Sequence, residues 1–253
     1  MARYTQGARA VEFAREDIAA VAAELGIALP KNVGDVLYSL RYRAALPDSI
    51  RSVAPVGEVW IIRPAGRGLY RFALVQDAPI VPSPLLAETK IPDATPGVIL
   101  MYSGSDEQAL LARLRYNRLI DIFTGVTAYS LQNHLRTTVP GMGQVETDEI
   151  YVGIDRRGAH YVFPVQAKGG TDKANIVQIE QDIALCRAKF PGLICIAIGA
   201  QFVSQNKIAL FAFEETDDGV AIAQERHYRL VTPDSLSSEE LRTYRERASG
   251  TGR

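Results

Sequence analysis

The stretch VETDEIYVGIDRRGAHYVFPVQAKGG, residues 145–170, decides the fold. Val145–Ile154 reads as a strand, Arg156-Arg157-Gly158 as a turn, and His160–Ala167 as a second strand. Side chains at i and i+2 of a strand share a face. Gln166 and Lys168 therefore point one way, and Val165 and Ala167 point into the core. Glu146 and Asp148 likewise share a face, with Glu149 opposite them unless a bulge intervenes. Acids are disfavoured in strands, so Glu146, Asp148 and Glu149 within four positions call for a functional reason. A hairpin pairing of the two strands brings a carboxylate, the Gln166 amide oxygen and the Lys168 ammonium to one spot. That donor set suits a hard cation such as magnesium, which keeps several waters and needs only one or two protein carboxylates.

Working outward, Ile176–Phe190 has the periodicity of an amphipathic helix and stops at Pro191-Gly192. Leu193–Ala200 and Ile208–Phe213 read as buried strands. On the other side, Asp106 opens a long helical pattern through Leu110, Leu111, Leu114, Leu119, Ile122 and Phe123, broken at Gly125. A second helix is expected over Thr127–Arg136, followed by a loop at Pro140–Gly143. The tail after Ser238 is charged, with a short helix. Helices alternating with strands give an α/β (α+β) class, a mixed β-sheet flanked by helices, over residues 106–253. Residues 77–105 hold Pro79, Pro82, Pro84, Pro92 and Pro96 without clear periodicity and read as a stiff connector.

Residues 1–76 form a separate expectation. Glu16–Leu25 and Val33–Tyr42 have helical spacing, and a third helix around Pro47–Val53 is weakly signalled. Glu58–Arg63 and Gly68–Val75 are strand-like, with Pro64-Ala65-Gly66-Arg67 as the turn. Helices followed by a hairpin are the order of a winged-helix-like DNA-binding domain. Arg41, Arg43, Arg67 and Arg71, with Arg51 and Arg63, give it a basic bias, interleaved with Tyr38, Tyr42, Trp60 and Tyr70. Arginine suits both phosphate and guanine edges.

Composition sets few further bounds. The 253 residues are 47% hydrophobic and 23% charged, with a formal net charge of -1. That balance neither supplies a nucleic-acid binder's basic surplus nor forbids a local basic face. Cys186 and Cys195 have no zinc-ligand spacing and read as buried, reduced thiols. No apolar run reaches membrane-spanning length and the N-terminus has no apolar signal core, so the expectation is a cytoplasmic protein without a membrane partner.

At Asp148, Gln166 and Lys168 the chain resembles the PD-(D/E)xK nuclease superfamily, in its restriction-endonuclease-like branch, as a Q-x-K variant. The resemblance covers roughly Leu110–Phe213. It implies a metal-dependent DNA endonuclease, with Asp148 as first metal-binding acid, Gln166 at the second ligand position and Lys168 as catalytic lysine. Glu149 and Glu146 are the further candidates, Glu149 as an alternative metal ligand. Gln178, Gln181 and Asp182 fall on the following helix, where the family often places glutamines near its site and Gln178 would reach DNA. The implied cofactor is Mg2+, with Mn2+ as substitute. The implied partners are double-stranded DNA, a second copy of the chain in a homodimer, and a cognate DNA methyltransferase if the system is a restriction system. Two positions depart from the family pattern: Gln166 stands in place of an acid, and Thr147 in place of the proline before the aspartate. The glutamine leaves two other readings open, a non-catalytic DNA-binding regulator with a decayed nuclease core and a structure-specific repair nuclease.

Overall fold

The computed structural model describes residues 4–42, 44–76, 80–140, 142–169, 174–217 and 219–250. Its mixed α/β architecture divides into two compact units. The first comprises Met1–Ile80, Arg136–Glu146 and Asn175–Lys189, and the second Val81–Leu135, Thr147–Ala174 and Phe190–Arg253.

The first unit begins with strand β1 (Ala10–Ala14), which the sequence reading did not foresee. Helices α1 (Arg15–Glu24), α2 (Val33–Tyr42) and the four-residue α3 (Asp48–Arg51) follow. Then come β2 (Glu58–Gly66) and β3 (Leu69–Gln76). The strands form an antiparallel sheet in the order β1-β3-β2. The turn falls at Arg67-Gly68, later than expected, because Gly66 (φ 145) and Gly68 (φ 71) take the left-handed backbone that a tight reversal needs. One face of this sheet is aromatic. Phe13, Tyr70 and Phe72 contact one another beside Trp60 and Ile62, and Leu40, Leu46 and Ile50 pack against them. The other face carries a row of charges. Glu12 is directly opposite Arg71, which is directly opposite Arg63. Arg63 is in turn ion-paired to Glu180 of α7 (Ile176–Lys189).

The second unit is organised by an eight-stranded mixed sheet. Its further strands are β4 (Glu88–Pro92), β5 (Thr127–Val139), β6 (Gly143–Ile154), β7 (His160–Lys168), β8 (Ile194–Cys195), β9 (Ala197–Ser204), β10 (Lys207–Thr216) and β11 (Gly219–Val231). The order is β4-β11-β10-β9-β7-β6-β5, with the short β8 pairing beside β7. Helices α4 (Gly97–Tyr102), α5 (Glu107–Tyr116) and α6 (Leu119–Thr124) precede β5, and α8 (Ser238–Gly250) ends the described chain. Leu110, Leu111 and Leu114 of α5 join Leu119, Ile120 and Phe123 of α6. They pack on Val165, Ala167, Ile198 and Ala200 of the sheet, forming the main core.

Three sequence expectations change here. The single long helix is two, because Arg118 adopts a left-handed backbone (φ 53) between α5 and α6. Thr127–Arg136 is not a helix but most of the edge strand β5. Leu131 and Leu135 mimic helical spacing, yet Gly125 (φ 70) stops α6, and the β-branched and aromatic residues Thr127, Tyr129, Thr137, Thr138 and Val139 favour extended backbone. Residues 77–105 are more than a connector, since β4 within them pairs in parallel with β11. β11 itself had no sequence expectation. Cys186 is buried and Cys195 half-buried, both as thiols. No helix among the described residues is long and apolar enough to cross a membrane.

The sheet tolerates no side chain at Gly153. A Cβ there would lie 2.8 Å from Val126 Cγ1, 2.9 Å from the Thr127 carbonyl oxygen and 3.3 Å from Phe163 Cε2. Gly153→Ala is expected to lower stability by roughly 1–3 kcal/mol through overpacking. A urea midpoint equal to that of the unaltered protein would refute this account of the packing around Gly153.

Candidate active site

β6 and β7 pair antiparallel from Ile154↔His160 to Glu149↔Val165. Beyond that point, side chains replace the backbone ladder. The Thr147 hydroxyl donates to the Val165 carbonyl at 3.4 Å, and Asp148 Oδ2 accepts the Ala167 amide at 2.8 Å. Asp148 is thereby fixed at the fork of the two strands, while β9 closes the other side of β7 in parallel, with Gln166↔Gly199 and Lys168↔Gln201. Gln166 and Lys168 share a face of β7, as their spacing demands. Both are buried, Gln166 at 1% exposure and Lys168 at 9%. A lysine that deep requires a charge partner.

The partner is Glu107, which the sequence reading missed. Lys168 Nζ donates to Glu107 Oε1 at 3.1 Å. Glu107 opens α5, directly after Asp106, whose carboxylate caps the helix by accepting the Ala109 amide at 2.9 Å. In sequence it looks like an ordinary first-turn acid favoured by the helix dipole. Its one distinguishing signal was the glycine after Lys168. A Cβ on Gly169 would lie 2.9 Å from the Ser105 carbonyl oxygen and from Asp106 Cα and C. Only glycine lets the end of β7 abut the start of α5, and that approach brings Glu107 to Lys168.

His134 completes the cluster. Its Nε2 lies 3.0 Å from Gln108 Nε2, one residue beyond Glu107. It is one of two non-glycine residues with positive φ among those described, at 47°. Residues so held recur at functional sites. The electrostatics of Asp148 tie these groups together. Burial pushes its carboxyl above the ordinary value, the Lys168 ammonium and the Ala167 amide pull it down, Glu107 pushes it up, and His134 pulls it down; the net shift is upward.

The remaining candidates separate. Glu149 points to the opposite face from Asp148, as alternation requires, and is fully buried. Its Oε1 accepts Arg115 Nε at 2.8 Å and its Oε2 accepts Arg115 Nη2 at 3.4 Å, while the Ser130 hydroxyl also donates to Oε1. Burial, with the Glu149 charge beside it, pushes the neighbouring Tyr151 hydroxyl up. This is an ion pair inside the fold, on the face opposite Asp148. Glu146 is engaged by Arg136, through Nε at 3.0 Å and Nη2 at 2.6 Å. In the first unit, Arg67 is exposed at the hairpin turn, but Arg71 sits within the Glu12–Arg71–Arg63 row with its Nε buried. Arg41 is half-buried and its carbonyl accepts Asn175 Nδ2 at 3.2 Å. Arg43 lies outside the described residues. On α7 Gln178 is half-buried, and Gln181 and Asp182 are buried.

Among the described residues no group of three or more His, Cys, Asp or Glu side chains is placed to hold a metal ion. A cation at Asp148 would therefore draw on amide, water and phosphate oxygens, which is how magnesium binds at phosphate-processing sites. The donor chemistry of Asp148 and Gln166, with Glu107 beside Lys168, fits that ion. Compared with protein-family models, curated proteins and solved structures, the chain matches none.

Two measurements probe this geometry. Arg115→Met leaves Glu149 buried without its cation and is expected to cost about 3 kcal/mol, read from urea unfolding; a change below the error of that measurement would mean the pair contributes nothing. The second is the titration of Asp148 by carbon-detected NMR. Because its folded pKa is raised, Asp148 contributes most stability below the ordinary carboxylate range and loses it as pH rises through the raised value. Lys168→Met is expected to move that titration to higher pH and Glu107→Gln to lower pH. Shifts of the same sign in both variants would contradict the assigned contacts.

Proposed function

We propose that the chain is a metal-dependent DNA endonuclease of the restriction type, with its active site at the fork of β6 and β7. The observation that carries this reading is the convergence of Asp148, Lys168 and Glu107 beside Gln166. One carboxylate has its ionisation displaced by burial, and one lysine is held nearly out of water by a second carboxylate. Perturbed groups gathered in this way are the ordinary mark of a reactive site.

In this reading Asp148 and the Gln166 amide oxygen hold the cation. When bound, magnesium polarises the scissile phosphate and acidifies a water. Asp148 must be ionised to hold the cation, and without one burial raises its carboxyl above the ordinary aspartate value. Lys168 places its ammonium against the water and the charge developing on the phosphate, and Glu107 fixes its direction. Gln166 contributes an oxygen but no charge and takes no proton.

The first unit supports a DNA-binding partner domain. Its order, β1-α1-α2-α3-β2-β3, has three helices ahead of a hairpin, and the hairpin turn presents Arg67 to solvent. A homodimer matched to the two-fold symmetry of duplex DNA, and a cognate methyltransferase, belong to the same reading. A second reading, a DNA-binding regulator with a decayed core, is favoured by the same Gln166, because the site then holds fewer acids than cleavage chemistry commonly uses.

Incubation of the protein with varied duplex DNA and magnesium decides between them. Cleavage is expected, and Lys168→Ala is expected to reduce its rate by roughly 100- to 1,000-fold, the scale seen when one charge-stabilising donor is removed, with DNA binding retained. Equal cleavage by both proteins removes Lys168 from the mechanism. No cleavage by the unaltered protein, but clear cleavage by Gln166→Glu, selects the decayed-core reading.

A further inference from the structure

A cavity of about 490 Å³ opens in the second unit, walled by the turn after α4, by α5 and by the end of β9. Three hydroxyls line it, from Ser103, Ser105 and Ser204, together with Leu100, Phe202 and Arg113; no carboxylate does. Arg113 is the unusual member. Its side chain is only 9% exposed. Nη1 donates to Asn206 Oδ1 at 3.2 Å and stands 3.9 Å from Asp93 Oδ2, while the guanidinium lies 5.8 Å from the Phe202 ring centroid. Its Nε is buried without a hydrogen-bond partner. Asp93 Oδ1 accepts the Thr95 amide at 2.8 Å and Asn117 Nδ2 at 3.3 Å, which leaves Oδ2 toward Arg113. A buried donor left unmet is costly to keep.

The cavity adjoins the candidate active site. The Ser105 carbonyl that lines the approach to Gly169 belongs to a cavity residue, and Glu107, two positions on, holds Lys168. Ser105 and Glu107 are two residues apart, so their Cα atoms are separated by at most about 7 Å.

We propose that this cavity is a binding subsite for a phosphate of the DNA strand, flanking the one cleaved. The Arg113 guanidinium and the hydroxyls of Ser103, Ser105 and Ser204 supply its donors, and Phe202 and Leu100 form the apolar wall for the attached sugar or base. Arginine over an aromatic ring suits this role, since its planar fork bonds phosphate oxygens while its face stays stacked. The assignment rests on the endonuclease reading, which it deepens by naming how the strand is gripped beside the site.

The test uses the full chain without divalent metal and three probes: inorganic phosphate, thymidine and a 5′-phosphorylated thymidine dinucleotide. The dinucleotide is expected to bind, phosphate to compete weakly for it, and thymidine not to bind. Leu100→Trp, on an exposed part of the wall, fills the cavity without entering the core, and Arg113→Lys keeps the charge but removes Nε. Each is expected to weaken dinucleotide binding at least tenfold, with the melting temperature of Leu100→Trp unchanged. Undiminished dinucleotide binding by Leu100→Trp, or thymidine binding as tight as the dinucleotide's, overturns the proposal. Magnesium-dependent cleavage, measured separately, keeps the two ideas apart. Dinucleotide binding lost in Leu100→Trp without any cleavage by the unaltered protein upholds the subsite and removes the nuclease. Cleavage with dinucleotide binding indifferent to both variants does the reverse.

Discussion

The Ala167 amide lies inside the sheet, on the β6 side of β7, where the regular ladder has ended and water is scarce. A buried amide must find an acceptor. Asp148 provides it with Oδ2 at 2.8 Å, and that single hydrogen bond fixes what surrounds it. It holds a carboxylate at depth, where burial raises its pKa. A side chain tied to the backbone in this way is positioned without depending on its own rotamer freedom, which is a requirement of any preorganised site.

β6 thus serves two purposes on its two faces. On one, Glu149 is closed off by Arg115 and Ser130. On the other, Asp148 stands among Lys168, Glu107 and His134. Adjacent residues of like charge end in opposite roles because a strand turns successive side chains through half a circle. The buried ion pair need not add stability over an apolar pair of the same volume. Its consequence here is specificity, since a slip of β6 by one residue would exchange Asp148 with Glu149 and strand both charges.

The parts that were legible from sequence are those governed by local periodicity. β6, β7, α7 and the cores of β9 and β10 follow from alternation and helical spacing, and so does the shared face of Gln166 and Lys168. The rest depends on contacts distant in sequence. Glu107 meets Lys168 across 61 residues, and no spacing rule links them; the only local sign was Gly169. β5 was misread because Leu131 and Leu135 repeat at four residues, while the left-handed backbone at His134 interrupts the alternation that would have marked a strand. β4 was hidden among prolines because an outermost strand can end in one, as this strand does at Pro92, without losing an interior hydrogen bond. Arg71 carried the composition of a basic surface but lies between Glu12 and Arg63, an arrangement set by the register of three strands.

That outer strand β4 lies parallel to β11, and Arg229 grips Glu88 across 141 residues of intervening chain. Pairing at such separation closes a long loop and is slow relative to local structure. As the chain leaves the ribosome, β4 cannot settle until β11, whose Arg229 lies 141 positions beyond Glu88, has been made. The large sheet is therefore finished from its far side inward in time, with β10 and β11 as the last of its strands to arrive. A nascent chain that stops short of residue 219 leaves β10 and β4 without the strand that lies between them, as two open edges rather than a completed wall.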